Sequence, residues 1–495
     1  MLTVDDVKKQ NVIFLVLDTV RADHLSYYGY DRETTPTIDK LAENGVQYNT
    51  AFANSIWTPT SHGTMFTGKI PSESGVYGGE RDLPQSTPIL TERLQELGYE
   101  TFLASAGLFI RAEHGYDRGV NIYHSGENYQ PRPTPQMLSK LVKDPATRKQ
   151  FYADLTRTSA KQTTLKMEAL KQFISNSTQP FFAFLNTKAA HHPYTPPRPY
   201  HKEYVPEHHR LPIELISFLY RLAGDPRGGS SIEGVNEGRV KELDTQYPIT
   251  ADAFEPTEEE LAVIRGWYDG AIRYVDHKIK ELILHIRREG VYDETTLIIT
   301  SDHGELFGEH GLEKHYYSLY DQLLHVPLVI RPANGRSATI DDIVSLADLY
   351  PTILDMASAD TPEEQGTWSR SLLPFGDDPG HDYIIAETGL KSDRPIKKDY
   401  PDFDDSEYNE VLQSVRTDEY KLIVNGEGET ELYRWRSDPG NFDDISDANP
   451  EVCEQLQETV EADLTPLSGQ HWADGTESVT DDDHLQQQLE DLGYL

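Results

Sequence analysis

The chain has 495 residues, enough for more than one hydrophobic core, since single cores stop growing beyond about 250–300 residues. Its 83 Asp and Glu against 45 Lys and Arg give a formal charge of −38 that is spread along the chain; this excludes the basic footprint of a nucleic-acid binder and points to a surface adapted to high salt. The only cysteine, Cys453, excludes a disulfide framework and a thiolate zinc site.

In chain order, the first element is NVIFLVLD, Asn11 to Asp18, whose apolar run is too short for a signal peptide or a membrane span and therefore reads as a buried strand. No leader, lipidation motif or longer apolar run appears elsewhere, so the expectation is a soluble, cytoplasmic protein. Next comes WTPTSHGTMFTG, residues 57–68, in which Thr58 reads as a helix N-cap, Pro59 as the first helical residue and Gly68 as the stop. ETFLASA, FFAFLN, TTLIITSD and HVPLVIRP read as further buried strands; they alternate with helical stretches, as in a sheet covered on both faces. Residues 196–256, rich in Gly, Pro and charge, read as a surface insertion that helps to shape the substrate entrance.

A long amphipathic helix is expected from Thr257 to Glu289, closed by Gly290, with Arg273 and Asp276 as structural or solvated charges. After Pro374 the texture changes to alternating strands: DYIIAETG, EVLQSVRTDEYKLIVN and TELYRWRSDP. The last stretch, DDDHLQQQLEDLGYL, reads as an acidic amphipathic helix. The expected architecture is an α/β fold with a large mixed, mostly parallel sheet and helices on both faces over residues 1–375. A smaller C-terminal α+β domain with an antiparallel sheet and the terminal helix is expected over residues 376–495.

Ligands in such sheets gather beyond the carboxyl ends of the strands. Asp18 ends the first strand; Lys188, His191 and His192 follow FFAFLN; Asp302 and His303 end TTLIITSD. An Asp after a strand is commonly a turn or cap residue, and a lone His is commonly structural. Jointly, two carboxylates and an imidazole form a divalent-metal site, with the imidazole favouring a transition metal. A metal there would turn Thr58 from a poor nucleophile into a usable one, and the helix N-terminus beside it suits a tetrahedral oxyanion.

With these residues in view, the chain resembles the sulfatase family within the alkaline-phosphatase superfamily, nearly end to end. NVIFLVLDTVRADHLSYYGY is similar to the family's first strand and metal-binding turn, and WTPTSHGTMFTGKIPSESG to its nucleophile helix. FFAFLNTKAAHHPYTPP resembles the substrate-binding segment, SDHGELFGEHGLEKHYYSLYDQLLHVPLVI the second metal segment, and SVRTDEYKLIVNGEGETELYRWRSDPGN the C-terminal domain. The resemblance implies that Asp18, Asp302 and His303 ligate a divalent metal, with Zn or Mn favoured and Ca or Mg as alternatives. It implies that Thr58 is the nucleophile and also touches the metal, and that His191 and His315 contact the bound anion or the leaving group. Lys188, His62 and Lys314 are substrate-binding candidates. Among the other histidines, His192 helps to shape the pocket, His24 orders the turn after Asp18, His208 and His209 fall in the insertion, and His310 is divided between a role behind the metal and a structural one.

Two departures from the family pattern stand out. Where classical sulfatases carry the Cys or Ser that becomes formylglycine, in a C-x-P-x-R-like motif, this chain has Thr58, and the motif's Arg is His62. Thr19 stands where many members have a second metal-binding Asp. The set Asp18, Thr58, Asp302 and His303 resembles the threonine-using phosphoethanolamine and phosphoglycerol transferases. The expected function is a metal-dependent hydrolase of sulfate, phosphate or phosphonate esters, on a small molecule or one linked to a glycan or lipid. A phosphoryl-linked head-group transferase and a non-catalytic metal- or anion-binding protein are the alternatives.

Overall fold

A computed structural model describes residues 9–77, 80–107, 109–124, 159–178, 180–206, 231–232, 235–333, 335–357, 368–376, 380–389, 396, 400–403 and 411–463. The main sheet has eight strands: β1 (Asn11–Leu17), β2 (Val46–Tyr48), β3 (Glu100–Ser105), β4 (Ile122–His124), β5 (Phe181–Thr187), β6 (Thr295–Thr300), β7 (Leu328–Arg331) and β8 (Ala338–Ile340). Their spatial order is β8-β2-β7-β6-β1-β5-β3-β4. Strands β6, β1, β5, β3 and β4 run parallel. The segment HVPLVIRP supplies β7, which is antiparallel to both β6 and β2, so the sheet is mixed and mostly parallel.

The central strand explains why an uninterrupted apolar run was needed. Val12, Phe14 and Val16 feed one hydrophobic core, and Ile13, Leu15 and Leu17 feed the other. Both faces of β1 are dry, which rules out polar alternation in a central parallel strand. Helix α1 (Thr58–Thr67) packs Met65 and Phe66 into the first core. Helices α2 (Ser159–Asn176) and α3 (Glu258–Arg288) cover the opposite face through Met167, Leu170, Ile272, Val275 and Ile279. Thr257 caps α3 in a reciprocal box with Glu260, and Gly290, at φ 75°, ends it. Asp276 is a structural acceptor, as expected: it takes the N–H groups of Thr37 and Ile38, each at 2.9 Å.

The described end of the 196–256 insertion is packed rather than purely excursive. A helix at Glu237–Thr245 lies against α3, and Asp244 accepts the Tyr194 N–H at 2.8 Å. Most of GDPRGGSSIEG, along with His208 and His209, lies outside the described residues.

A second, four-stranded sheet is antiparallel throughout: β9 (Tyr383–Thr388), β10 (Leu412–Thr417), β11 (Lys421–Asn425) and β12 (Thr430–Tyr433). A helix at Pro450–Asp463 closes it, packing Cys453 and Leu456 with Ile385, Val415 and Leu422. Buried Asp321, from the segment after β6, accepts Lys421 Nζ at 2.7 Å and pairs with Arg416, tying this sheet to the large one. The expected helix at 481–495 lies outside the described residues.

Candidate active site

Strands β6, β1 and β5 are neighbours at the middle of the sheet, so the residues that follow them emerge side by side. Asp18 N–H donates to Thr187 O at 3.0 Å. Ser301 Oγ accepts from Val20 N at 2.8 Å and donates to Leu17 O, joining the ends of β1 and β6. Gly304 is required by close approach: a Cβ there would lie 1.9 Å from Gln322 O. Thr19 adopts φ 63°, a strained value for a β-branched residue. Tyr268 braces that turn; its hydroxyl donates to Thr19 O at 2.7 Å and accepts from Arg21 N at 2.9 Å.

Asp18, Asp302 and His303 are fully buried and offer one ligand atom each, all within 4.8 Å of one another. Asp302 Oδ1 is occupied by the N–H groups of Thr19 at 3.2 Å and His303 at 3.0 Å. Asp18 Oδ2 takes a contact from Asn186 Nδ2 at 3.4 Å. The remaining oxygens, Asp18 Oδ1 and Asp302 Oδ2, have no hydrogen-bond partner among the described residues. His303 Nδ1 donates to Gly304 O at 3.0 Å, which leaves the lone pair on Nε2. Two carboxylates buried together, each with one oxygen that has no donor, are costly unless a cation joins them. The donor set therefore fits a divalent ion.

The electrostatics reflect the same crowding. Burial, then the charge of Asp302, pushes Asp18 well above the usual carboxylate range, against the pull of Lys188. Burial acts on Asp302 in the same sense, but His303, His62 and the backbone donors outweigh it and hold it low. Burial brings the Lys188 ammonium down to about 7, opposed by Asp18 and Glu305, and the His303 imidazolium to about 4.

Thr58 is the one candidate whose local assignment changes. Trp57 is the N-cap of α1, Thr58 is its first helical residue, and no side chain caps the helix. The sequence places the boundary one residue too late, because Pro is equally at home in the second helical position. The consequence favours chemistry over capping: the hydroxyl is not spent on the helix and lies 3.3 Å from His303 Nε2. Gly68 is the left-handed terminator, as expected (φ 68°).

His62 sits one turn further on, with Nδ1 on Thr58 O at 2.8 Å and 3.7 Å from Asp302 Oδ2. It is fully buried. His191, His192 and His315 form a second group, with ligand atoms again within 4.8 Å of one another. The rings of His315 and His303 are 4.6 Å apart, so the two groups abut. Burial holds His191 well below its ordinary range, with Lys188 adding to the effect, and His192 at about 3 against the pull of Glu305. Lys314 has φ 63°; its amine donates to Gln246 O and stands over the Tyr247 ring. His24 pairs with Asp269 at 2.7 Å. His310 stacks between Tyr320 and Phe442 and bonds Gly440 O at 2.9 Å, in a structural setting.

Three residues of the site were not singled out by sequence. Glu305 is fully buried, holds His315 Nδ1 at 2.8 Å and lies 3.8 Å from His192 Nδ1. Its signal was available as an acid two residues after a candidate ligand. Asn186, beside Asp18, was the last residue of a strand-end motif. Tyr268 had no signal, because in sequence it is one more apolar position of a helix.

The sulfatase family model matches residues 10–359, and the model described as N-sulphoglucosamine sulphohydrolase, C-terminal, matches residues 308–470. Arylsulfatase K from Bos taurus is 25% identical over 460 residues, covering 90% of this chain and 80% of the relative. N-acetylglucosamine-6-O-sulfatase from Bacteroides thetaiotaomicron is 22% identical, covering 92% and 87%. Among solved structures, the phosphonate monoester hydrolase of Agrobacterium radiobacter aligns with a TM-score of 0.65 at 20% identity, covering 92% of this chain and 95% of that one. A protein solved with its substrate D-glucosamine-2-N,6-O-disulfate aligns with a TM-score of 0.66 at 18% identity, covering 93% and 100%. At these identities the structural matches establish the shared fold.

Proposed function

The chain belongs to the sulfatase family of the alkaline-phosphatase superfamily, and from that premise we propose that it is an ester hydrolase in which unmodified Thr58 attacks the sulfur or phosphorus of its substrate. The observation that carries this reading is the Thr58 hydroxyl, buried and 3.3 Å from Nε2 of His303, the imidazole that groups with the carboxylates of Asp18 and Asp302. Thr58 cannot become formylglycine, so in this reading its hydroxyl oxygen gives up its proton and bonds to sulfur or phosphorus as the substrate's alcohol oxygen departs and takes a proton, and water then cleaves the Thr58 ester to release sulfate, phosphate or phosphonate and restore the hydroxyl.

Asp18, Asp302 and His303, with Thr58, would hold one divalent metal; the imidazole favours Zn or Mn over Ca or Mg. Bound there, it supplies Lewis-acid stabilisation of negative charge on the Thr58 oxygen and on the ester. His303 is fixed in the required tautomer by Gly304 O, and Tyr268 fixes the turn that aims Asp18. His62 backs the Thr58 carbonyl and Asp302 from inside the helix. His191 and His315 take the anion and leaving-group side, with Lys188 adding positive charge; Lys314, whose amine donates to Gln246 O, is a further substrate-binding candidate.

Threonine in place of formylglycine tilts the reading toward phosphate or phosphonate esters over sulfate esters, while the relatives named above are sulfatases. A panel of chromogenic phosphate, phosphonate and sulfate esters, assayed with metal-loaded and EDTA-treated protein, tests the reading. Metal-dependent turnover of at least one class is expected. Tight metal binding without turnover on any would favour a binding protein, and product forming only with an added acceptor alcohol would favour a transferase.

A further inference from the structure

Between β6 and β7 the chain makes a single helical turn, Asp321–Leu324, which holds the backbone beside three of the candidate ligands. Carbonyls at the end of a helix have no partner within it, and here they are taken by three separate segments of the site. Leu323 O accepts the Gly304 N–H at 2.8 Å, Leu324 O accepts the Ala53 N–H at 2.8 Å, and the next carbonyl, His325 O, accepts the Ala22 N–H at 3.3 Å. Gln322 O occupies the space beside Gly304 where a Cβ would stand. Gly304 O in turn fixes the His303 tautomer. Ala53 lies in the segment that leads into α1 and Thr58, and Ala22 lies in the turn after Asp18.

The other end of the helical turn is held from the second sheet. Asn441, in the loop after β12, accepts the Asp321 N–H on Oδ1 at 2.9 Å. The Asp321 carboxylate accepts Lys421 Nζ of β11 at 2.7 Å and pairs with Arg416 of β10. Lys421 Nζ also donates to Asn441 Oδ1 at 2.8 Å and to Leu319 O. The Arg416 guanidinium stands over the Phe52 ring at 3.7 Å, next to Ala53. Asp321, Arg416, Lys421 and Asn441 are all buried. A shift of the helical turn would break several charge-assisted hydrogen bonds at once in a dry setting, so the second sheet fixes the turn and the turn fixes the three segments.

We propose that the second sheet is a positioning element of the active site: Lys421, Arg416 and Asn441 clamp the Asp321–Leu324 turn, whose carbonyls set the relative placement of Asp18, Thr58 and His303. The proposal rests on the hydrolase reading above in taking these three as working groups. The clamp reaches the main chain of each segment, so it governs where the ligands stand rather than their charge. Lys421, Arg416 and Asn441 act through the helical turn, as positioning residues.

The test compares Lys421→Met and Asn441→Gly with Leu456→Ala in the full chain, each checked for folding by circular dichroism. Glycine keeps the left-handed backbone of Asn441 (φ 55°) and removes only its side chain, so this variant carries the test where Lys421→Met fails to fold. Leu456→Ala is the control, because it loosens the core of the same sheet without touching the clamp. Hydrogen–deuterium exchange on metal-free protein reads the amides of Ala22, Ala53 and Gly304, and chelator competition with Zn2+ reads the assembled site. Both clamp variants are expected to speed exchange at the three amides and to weaken Zn2+ affinity by about 10-fold. Leu456→Ala should change neither. Unchanged exchange at the three amides in the folded clamp variants, or an equal rise in Leu456→Ala, would overturn the proposal. Faster exchange with unchanged Zn2+ affinity would overturn it too, since the clamp would then not reach the ligands. Faster exchange in a protein whose wild type binds no divalent ion would instead sink the metal-dependent reading and leave the clamp standing.

Discussion

Thr58 Oγ1 lies 3.3 Å from His303 Nε2 although the two residues are 245 positions apart in sequence. The contact exists because α1 starts at Thr58, before any side-chain cap can claim the hydroxyl, and because Gly304 O turns the His303 lone pair toward it. The hydroxyl can donate to the imidazole lone pair, but the neighbouring Asp18 Oδ1 and Asp302 Oδ2 have no donor among the described residues, and it is these that call for a cation. In the proposed function, that arrangement serves in-line attack on a tetrahedral ester.

Tyr268→Phe should disturb the site without touching any candidate ligand. Among the described residues, the phenolic oxygen is the partner of both Thr19 O and Arg21 N at the strained turn after Asp18. Removing it leaves two buried backbone groups poorly matched, at a cost of about 1–3 kcal/mol. A lower denaturation midpoint together with a reduced kcat is expected. Wild-type values of both would show that the turn holds itself.

Asn186→Ala should weaken metal binding. Asn186 reaches Asp18 Oδ2 at 3.4 Å, and among the described residues its side chain makes no hydrogen bond to the other candidate ligands. Loss of such an outer partner costs about 10–100-fold in metal affinity. Chelator competition measures this directly, and unchanged affinity would mean that Asp18 is oriented by Thr187 and the strand end alone.

Glu313→Gln should flatten part of the dependence of stability on pH. Glu313 is buried and accepts the N–H groups of Ile249 at 3.0 Å and Thr250 at 3.5 Å. Burial raises its carboxyl from 4.5 to about 8, opposed by Lys314 and by those donors. Between these values the folded chain keeps a proton that the unfolded chain releases. The stability contribution is therefore complete below pH 4.5 and is lost as pH rises through about 8. Urea denaturation of wild type and variant at pH 5, 7 and 9 (roughly spanning that window) should show the wild type losing more stability toward high pH. Parallel curves would contradict the assignment.

The fold was largely legible because both faces of the central strands are buried. NVIFLVLD, FFAFLN and TTLIITSD had to be continuous apolar runs, and their polar ends had to sit at the sheet's crevice. Pairing direction was less visible: HVPLVIRP reads like its parallel neighbours yet runs against them, because an antiparallel strand covered on both faces carries the same apolar code. The first candidate ligands were legible as strand-end Asp and His. Glu305 and Tyr268 were not, since their work is done through a histidine tautomer and a backbone turn that only the folded chain displays. The Thr58 boundary shifted by one residue because helix caps are set by backbone angles, which Thr–Pro leaves ambiguous.

The central claim is that unmodified Thr58 carries the covalent ester. Rapid acid quenching during turnover, followed by mass spectrometry of the peptide containing Thr58, tests it most directly. The account predicts threonine at that position in resting protein and a phosphoryl or sulfuryl group on its side chain in quenched protein. Thr58→Ala should form no adduct and lose turnover by at least roughly 10³-fold. An unmodified peptide throughout the burst, with turnover preserved in Thr58→Ala, would contradict it.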